Sequence, residues 1–179
     1  SNLPSPADSG QDAGGRTIQR PNPRKVPTGK YPVIFDPRVS RTLLGSLVGA
    51  ISGPSIARGV SFLKDKMFEQ ILPTGTLVVD DPFIKRGLRS KPFDGEGLAP
   101  ERRNIIENGT LTTWLLDLRS ARQLELESTG HASRGTSGNP SPAPTNLVLA
   151  AGRKKPEELI KETGTGLYIT ELMGQGVNM

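Results

Sequence analysis

Apolar residues fall into short runs that are separated by long polar stretches rich in Gly and Pro. Residues 1–29 are rich in Ser, Pro, Gly and Asp and contain few apolar side chains. A segment of this composition buries too little apolar surface to offset the entropy of folding, so we predict a flexible linker or tail over 1–29. The apolar run 30–35 predicts a strand, and with it the start of a folded domain over 30–179.

Two helices are predicted after this strand. Asp36 is a good N-cap and Pro37 is favoured at the first helical position, which predicts a helix to about Ile51 that ends at Gly53 and Pro54. Apolar residues then recur at helical intervals and predict a second, amphipathic helix. These residues are Ile56, Val60, Leu63, Met67 and Ile71.

Short runs of strand composition occupy the rest of the chain. Runs 103–107 and 110–116 flank Asn108 and Gly109, a pair that favours a type I′ hairpin because both turn positions need positive φ. Other strands are predicted at 76–79, 146–149 and 166–172. Helices are predicted at 120–126, with Ser120 as the cap, and at 156–163. Loops are predicted at 82–100 and 128–144. This mixture predicts an α+β fold with a mixed, largely antiparallel β-sheet and a few packed helices.

One side of the first predicted helix carries almost no bulk. Its small residues are Gly45, Ser46, Gly49, Ala50 and Gly53. A face of this kind allows another element to approach closely. Two interpretations are open at this point: the face packs tightly against the protein's own sheet, or it belongs to a vestigial active-site helix.

Composition narrows the classes of function. The 179 residues include no Cys and one His, His131, so one copy of the chain cannot build a thiolate site or a site with two imidazoles. The lack of Cys is typical of the cytoplasm, where we expect the protein. A net charge of +5 favours a solvated basic surface over nucleic-acid recognition. The longest apolar run, 43–57, is too short for a membrane span, so no membrane partner is expected.

Four carboxylates lie near each other in predicted loops: Asp80, Asp81, Asp94 and Glu96. Asp94-Gly-Glu-Gly97 is similar to a piece of a calcium loop but lacks the full ligand pattern, so a solvated turn is favoured. His131 has Ser128, Thr129 and Ser133 nearby, as a nucleophile with a base would need, although such residues are common in loops. A loop histidine that contacts a peptide is the preferred alternative, and the backbone around Gly174, Gln175 and Gly176 is a second candidate for peptide binding.

Several segments, in order along residues 24–179, resemble one known family. They are Tyr31-Pro-Val-Ile-Phe35, Leu44-Gly-Ser-Leu-Val-Gly-Ala-Ile-Ser-Gly53, Pro92-Phe-Asp-Gly-Glu-Gly97, Glu107-Asn-Gly-Thr-Leu-Thr-Thr-Trp-Leu-Leu116, Ser120-Ala-Arg122, Ser128-Thr-Gly-His-Ala132 and Thr163-Gly-Thr-Gly-Leu-Tyr-Ile-Thr-Glu-Leu-Met-Gly-Gln-Gly-Val177. Together they resemble the TldD/PmbA family, once called modulators of DNA gyrase, and within it the PmbA/TldE type. The resemblance implies that residues 30–179 are the truncated central and C-terminal domain of TldD/PmbA proteins, an incomplete C-terminal part of a larger fold.

The resemblance also implies a zinc peptidase made of two proteins. The TldD type carries a His-Glu-x-x-x-His motif on a helix and a Cys as third ligand. The corresponding positions here are Gly45, Ser46 and Ala50, which can neither bind zinc usefully nor act as a base. The resemblance therefore implies a vestigial helix, with Gly49 on it, no cofactor in this chain, and zinc in a TldD-type partner.

We therefore expect a non-catalytic subunit that pairs with a TldD-type homologous subunit or with itself. It would shape the substrate cavity of a metallopeptidase that degrades or matures small unfolded peptides. One alternative is a self-contained hydrolase that uses His131 or the loop carboxylates. Another is a modulator associated with DNA gyrase or with nucleic acid.

Overall fold

The computed structural model describes residues 4–18 and 21–172 and divides the chain into two compact units, Ser1–Tyr31 and Pro32–Met179. In the first unit, α1 spans Pro6–Ile18 and buries none of its residues. We predicted no helix here. Local polar contacts support it: Ser5 Oγ accepts a hydrogen bond from the Asp8 backbone at 3.1 Å, and Arg16 pairs with Asp12 at 2.8 Å.

The second unit begins with the predicted strand and helix. Strand β1, Val33–Phe35, pairs in parallel with β8, Leu167–Ile169. Helix α2 spans Pro37–Ala50, and the Asp36 carboxylate accepts a hydrogen bond from the Arg38 backbone at 2.9 Å. The predicted cap and the proline at the helix start are confirmed.

The predicted second amphipathic helix is wrong. Helix α3 covers only Gly53–Ala57, and the chain then turns at Gly59, which has a φ of +70°. Ser61 stabilises the irregular path that follows, since its hydroxyl donates to Ala50 O at 2.6 Å and accepts from Leu63 N at 3.0 Å. Leu63 and Ile71 contact the core from irregular segments, whereas Val60 is exposed. Periodicity alone cannot distinguish this arrangement from a helix.

A four-stranded antiparallel sheet forms the centre of this unit, in the order β4-β3-β2-β7. The strands are β2 (Val78–Asp80), β3 (Arg103–Glu107), β4 (Thr110–Leu111) and β7 (Leu147–Leu149). The turn between β3 and β4 has φ of 50° at Asn108 and 85° at Gly109, as predicted for a type I′ hairpin. The largely antiparallel α+β fold is confirmed.

The core lies between this sheet and the end of α2. Its buried members are Ala50, Ile51, Leu63, Val78, Ile105, Ile106, Leu111 and Leu115. No helix within 4–18 or 21–172 is long and apolar enough to cross a membrane.

Among the remaining elements, two differ from the predictions and one agrees with them. The predicted loop 128–144 contains a small hairpin of β5, Ala132–Ser133, and β6, Ser141–Pro142. Helix α4 spans Leu118–Gln123 and is capped by Asp117 rather than by Ser120, which occupies the third helical position of a capping box. Helix α5, Pro156–Thr163, agrees with the prediction.

Candidate functional site

The small residues predicted on one side of the first helix lie in two different environments, and Gly53 begins α3 rather than belonging to α2. Gly45 is exposed, and a Cβ atom placed there would have no neighbour within 4 Å. Ala50 is fully buried in the core. A Cβ atom at Gly53 would clash with the Ser120 side chain and lie 2.9 Å from Leu116 Cδ2. Tight packing therefore explains Ala50 and Gly53, whereas Gly45 leaves the helix surface open.

A cleft of about 370 Å³ lies over Gly45. Its lining comes from α2 on one side and from two loop segments and the start of β7 on the other. The lining residues are Arg41, Leu44, Gly45, Val48, Arg89, Pro144, Thr145 and Leu147. The four α2 residues have i, i+3, i+4 and i+7 spacing, which places them on one helix face.

A hydrogen-bond network fixes the position of Arg89 in this cleft. The Arg89 backbone N–H donates to Asn146 Oδ1 at 3.1 Å, and its Nη1 donates to Pro144 O at 3.2 Å. Asn146 Nδ2 in turn donates to Asp81 O at 2.7 Å and to Ser90 Oγ at 2.9 Å. Sequence reasoning missed both arginines of the cleft. The helical spacing of Arg41 was visible in the sequence, but no local signal brings Arg89 to α2.

His131 lies inside the protein, with a side chain that is 2% exposed. Its Nε2 is 3.1 Å from Asp80 Oδ2, and its Nδ1 is 2.8 Å from Thr129 Oγ1. Thr145 Oγ1 donates to the same Asp80 oxygen at 2.6 Å. The accessible loop imidazole that we expected for hydrolysis or peptide contact is therefore not observed, because these partners hold the ring in the interior.

The chain of polar contacts around His131 connects distant segments. Thr129 Oγ1 accepts a hydrogen bond from Leu116 N at 2.8 Å. Asp80 Oδ1 is buried and has no hydrogen-bond partner among the described residues. Low dielectric makes such contacts strong when they are satisfied and costly when they are broken. The arrangement is that of a structural network that joins β2 to the segments before β5 and β7.

The loop carboxylates form hydrogen bonds within the protein. Asp94 is buried, not solvated as we expected: its Oδ1 accepts from Glu96 N and Leu98 N, each at 2.9 Å, and its Oδ2 accepts from Ala132 N at 3.1 Å. Glu96 Oε2 accepts from Leu118 N at 2.8 Å. In the described part of the chain, no group of three or more His, Cys, Asp or Glu side chains could hold a metal ion.

Lys91, in the loop 82–100, has a shifted pKa. Burial lowers its pKa from the usual 10.5, with a smaller contribution from the nearby Arg89 charge, while Asp94 and Asp80 oppose the shift. Its Nζ donates to Ala132 O at 2.9 Å. Lys91 thus connects loop 82–100 to β5.

The residues at the positions implied for zinc do not fit that metal. Gly45 and Ala50 have no donor atom in their side chains, and Ser46 Oγ donates to Thr42 O at 3.3 Å. A hydroxyl of ordinary acidity is also a poor zinc ligand. Gly49, the fourth residue of the predicted vestigial face, is partly exposed. Gly174, Gln175 and Gly176 lie outside the described residues.

Comparison with known proteins defines the class of this chain. The family model for the PmbA/TldA metallopeptidase C-terminal domain matches residues 28–179. The chain belongs to the PmbA/TldD family of metallopeptidases. The family expected from the sequence motifs is thereby confirmed.

Individual relatives agree with this assignment. The chain is 46% identical over 178 residues to metalloprotease PmbA of Escherichia coli O157:H7, covering 99% of this chain and 38% of that relative. It is 37% identical over 177 residues to a PmbA homologue of Haemophilus influenzae, covering 99% of this chain and 38% of the relative. The chain thus spans less than two fifths of the length of these curated relatives.

Solved structures show the same fold. A Thermotoga maritima protein described as a modulator of a DNA gyrase superposes with a TM-score of 0.87 at 34% identity, over 99% of this chain and 40% of its own. TldE from Thermococcus kodakarensis superposes with a TM-score of 0.74 at 29% identity, over 84% of this chain and 35% of its own.

Proposed function

We propose that the protein is a non-catalytic, PmbA/TldE-type subunit of a two-protein zinc peptidase. In this proposal a TldD-type homologous subunit holds the zinc and hydrolyses small unfolded peptides, and this protein contributes part of the substrate cavity and the partner interface. We further propose that the complex acts in the cytoplasm.

One observation carries the proposal. The cleft beside α2 is open at Gly45, yet the helix positions that the family resemblance assigns to a base and two zinc ligands hold Gly45, Ser46 and Ala50, and Ala50 is buried in the core. The surface retains room for a ligand but lacks the groups that would activate water. A binding role in a metallopeptidase is consistent with that combination.

The burial of His131 argues against a self-contained hydrolase. A general base must come within hydrogen-bond reach of the proton that it removes from a bound substrate. Both ring nitrogens of His131 already contact Asp80 and Thr129, and its side chain is 2% exposed. The loop carboxylate Asp94 is similarly occupied by three backbone N–H groups.

Reconstitution with a partner tests the proposal. The purified protein, a TldD-type homologue from the same genome, and their mixture are assayed for hydrolysis of an unstructured peptide and for co-elution. We expect hydrolysis when both are present, and none when the zinc-motif histidines of the partner are replaced by alanine. Hydrolysis by this protein alone at the rate of the mixture would contradict the proposal.

Association with gyrase is the second candidate, because the Thermotoga maritima relative is described as a modulator of a DNA gyrase. The net charge of +5 alone supports only non-specific attraction to nucleic acid. Co-elution with gyrase that survives moderate salt would favour this candidate. Binding that disappears with added salt and ignores DNA sequence would exclude specific recognition.

A further inference from the structure

We infer that the cleft beside α2, defined by the eight lining residues given above, binds the C-terminal residue of a short peptide. In this assignment Arg41 and Arg89 hold the free α-carboxylate, and the apolar wall formed by Leu44, Val48 and Leu147 contacts the last side chain. The inference rests on the proposed function in taking peptides as the ligand, and it adds which end of the peptide this subunit recognises.

Charge indicates an anionic ligand. Two of the described residues that line the cleft carry a charge, Arg41 and Arg89, and both charges are positive. Guanidinium groups match carboxylates with paired, parallel hydrogen bonds. The Arg89 backbone and Nη1 are already fixed by Asn146 and Pro144, so less side-chain entropy is lost when a ligand binds.

The shape and lining select a peptide end over an inorganic anion. The cleft volume of about 370 Å³ lies at the lower end of the range for small-molecule sites, which suits one or two residues of a peptide. Leu44, Val48, Pro144 and Leu147 supply an apolar surface that phosphate or sulfate would leave unused. A terminal Leu or Phe would bury apolar area there while its carboxylate reaches the arginines.

Gly45 keeps the cleft open. It is on the same helix face as Arg41 and Leu44, and a side chain at this position would extend into space that is empty to at least 4 Å from its Cβ. A large side chain at position 45 should therefore fill the cleft without disturbing the core. Position 45 offers a test that does not depend on removing charge.

Calorimetric titration of the purified protein with acetyl-Ala-Ala-Leu tests the inference. We expect saturable binding that C-terminal amidation weakens by about 10- to 100-fold, the loss typical of a charge-assisted hydrogen bond. Arg89→Gln and Arg41→Gln should each weaken binding of the free acid but leave binding of the amide nearly unchanged. Arg153→Gln, at an exposed position outside the cleft, serves as the matched control.

Three results would overturn the inference: equal binding of acid and amide, equal binding to Gly45→Leu and wild type, or competition by inorganic phosphate as strong as by the peptide. The wild-type fold of each variant is checked by its thermal unfolding. Because binding is measured on this protein alone, the outcome is separate from the reconstitution assay. Peptide binding without hydrolysis in the reconstituted mixture would contradict the proposed function only. Hydrolysis in the mixture without binding specific to the C-terminal carboxylate would contradict this inference only.

Discussion

His131 and Asp80 are 51 positions apart in the sequence, yet His131 Nε2 lies 3.1 Å from Asp80 Oδ2, and both side chains are almost completely buried. The contact joins the end of β2 to the segment before β5. The sole histidine of the chain, which the sequence offered as a candidate catalyst, is therefore a buried structural residue.

Replacing this histidine should lower stability. His131→Ala removes one partner of the buried Asp80 carboxylate and leaves a cavity, so the free energy of unfolding should fall by about 2–4 kcal/mol. Ser133→Ala, at an exposed position two residues along the chain, should change it by less than about 0.5 kcal/mol. Urea denaturation measures both. Equal stability of His131→Ala and wild type would show that the network contributes nothing.

Two glycines at opposite ends of the small-residue segment should respond in opposite directions to the same substitution. Gly45→Ala adds a methyl group in open space and improves helix propensity, so it should stabilise the protein by about 0.5–1 kcal/mol. Gly53→Ala forces a methyl group into the Ser120 side chain and should destabilise it by about 1–3 kcal/mol. Thermal unfolding of the two variants gives the comparison. A loss of stability in Gly45→Ala would mean that α2 is covered at this point.

Lys91 should make the free energy of unfolding depend on pH in the alkaline range. Since burial lowers the Lys91 pKa in the folded protein, the unfolded chain binds that proton more tightly. The stability contributed through Lys91 therefore rises as the pH increases through the window just below 10.5 and levels off above it. The free energy of unfolding of wild type relative to Lys91→Met should rise with pH across this window. Lys85→Met, an exposed lysine of the same loop, is the control, and a flat or falling difference would contradict the assignment.

The elements that could be predicted from sequence are those specified by local chemistry. Asp36 and Pro37 determine the start of α2, and Asn108 with Gly109 determines the hairpin turn, because cap and turn preferences act over a few residues. The extended amphipathic helix was wrong because Gly59 turns the chain, and tertiary contacts of Ser61 hold the resulting path.

The candidate site was predictable only in part. The open helix face at Gly45 followed from the run of small residues. The opposite wall did not, because Arg89 and Leu147 reach the cleft through long-range hydrogen bonds and strand pairing. The burial of His131 and Asp94 could not be predicted either, because their Ser-, Thr- and Gly-rich surroundings are typical of exposed loops. In the structure His131 contacts Thr129 and Asp80, and Asp94 accepts hydrogen bonds from backbone N–H groups, among them that of the distant Ala132.

Zinc binding by the isolated protein distinguishes a non-catalytic subunit from a self-contained metallopeptidase. The purified protein is dialysed against zinc at neutral pH, and bound metal is measured together with hydrolysis of an unstructured peptide. We expect no saturable zinc binding and no hydrolysis, because Gly45, Ser46 and Ala50 supply no zinc ligand or base. One tightly bound zinc per chain, accompanied by peptide hydrolysis, would contradict this expectation.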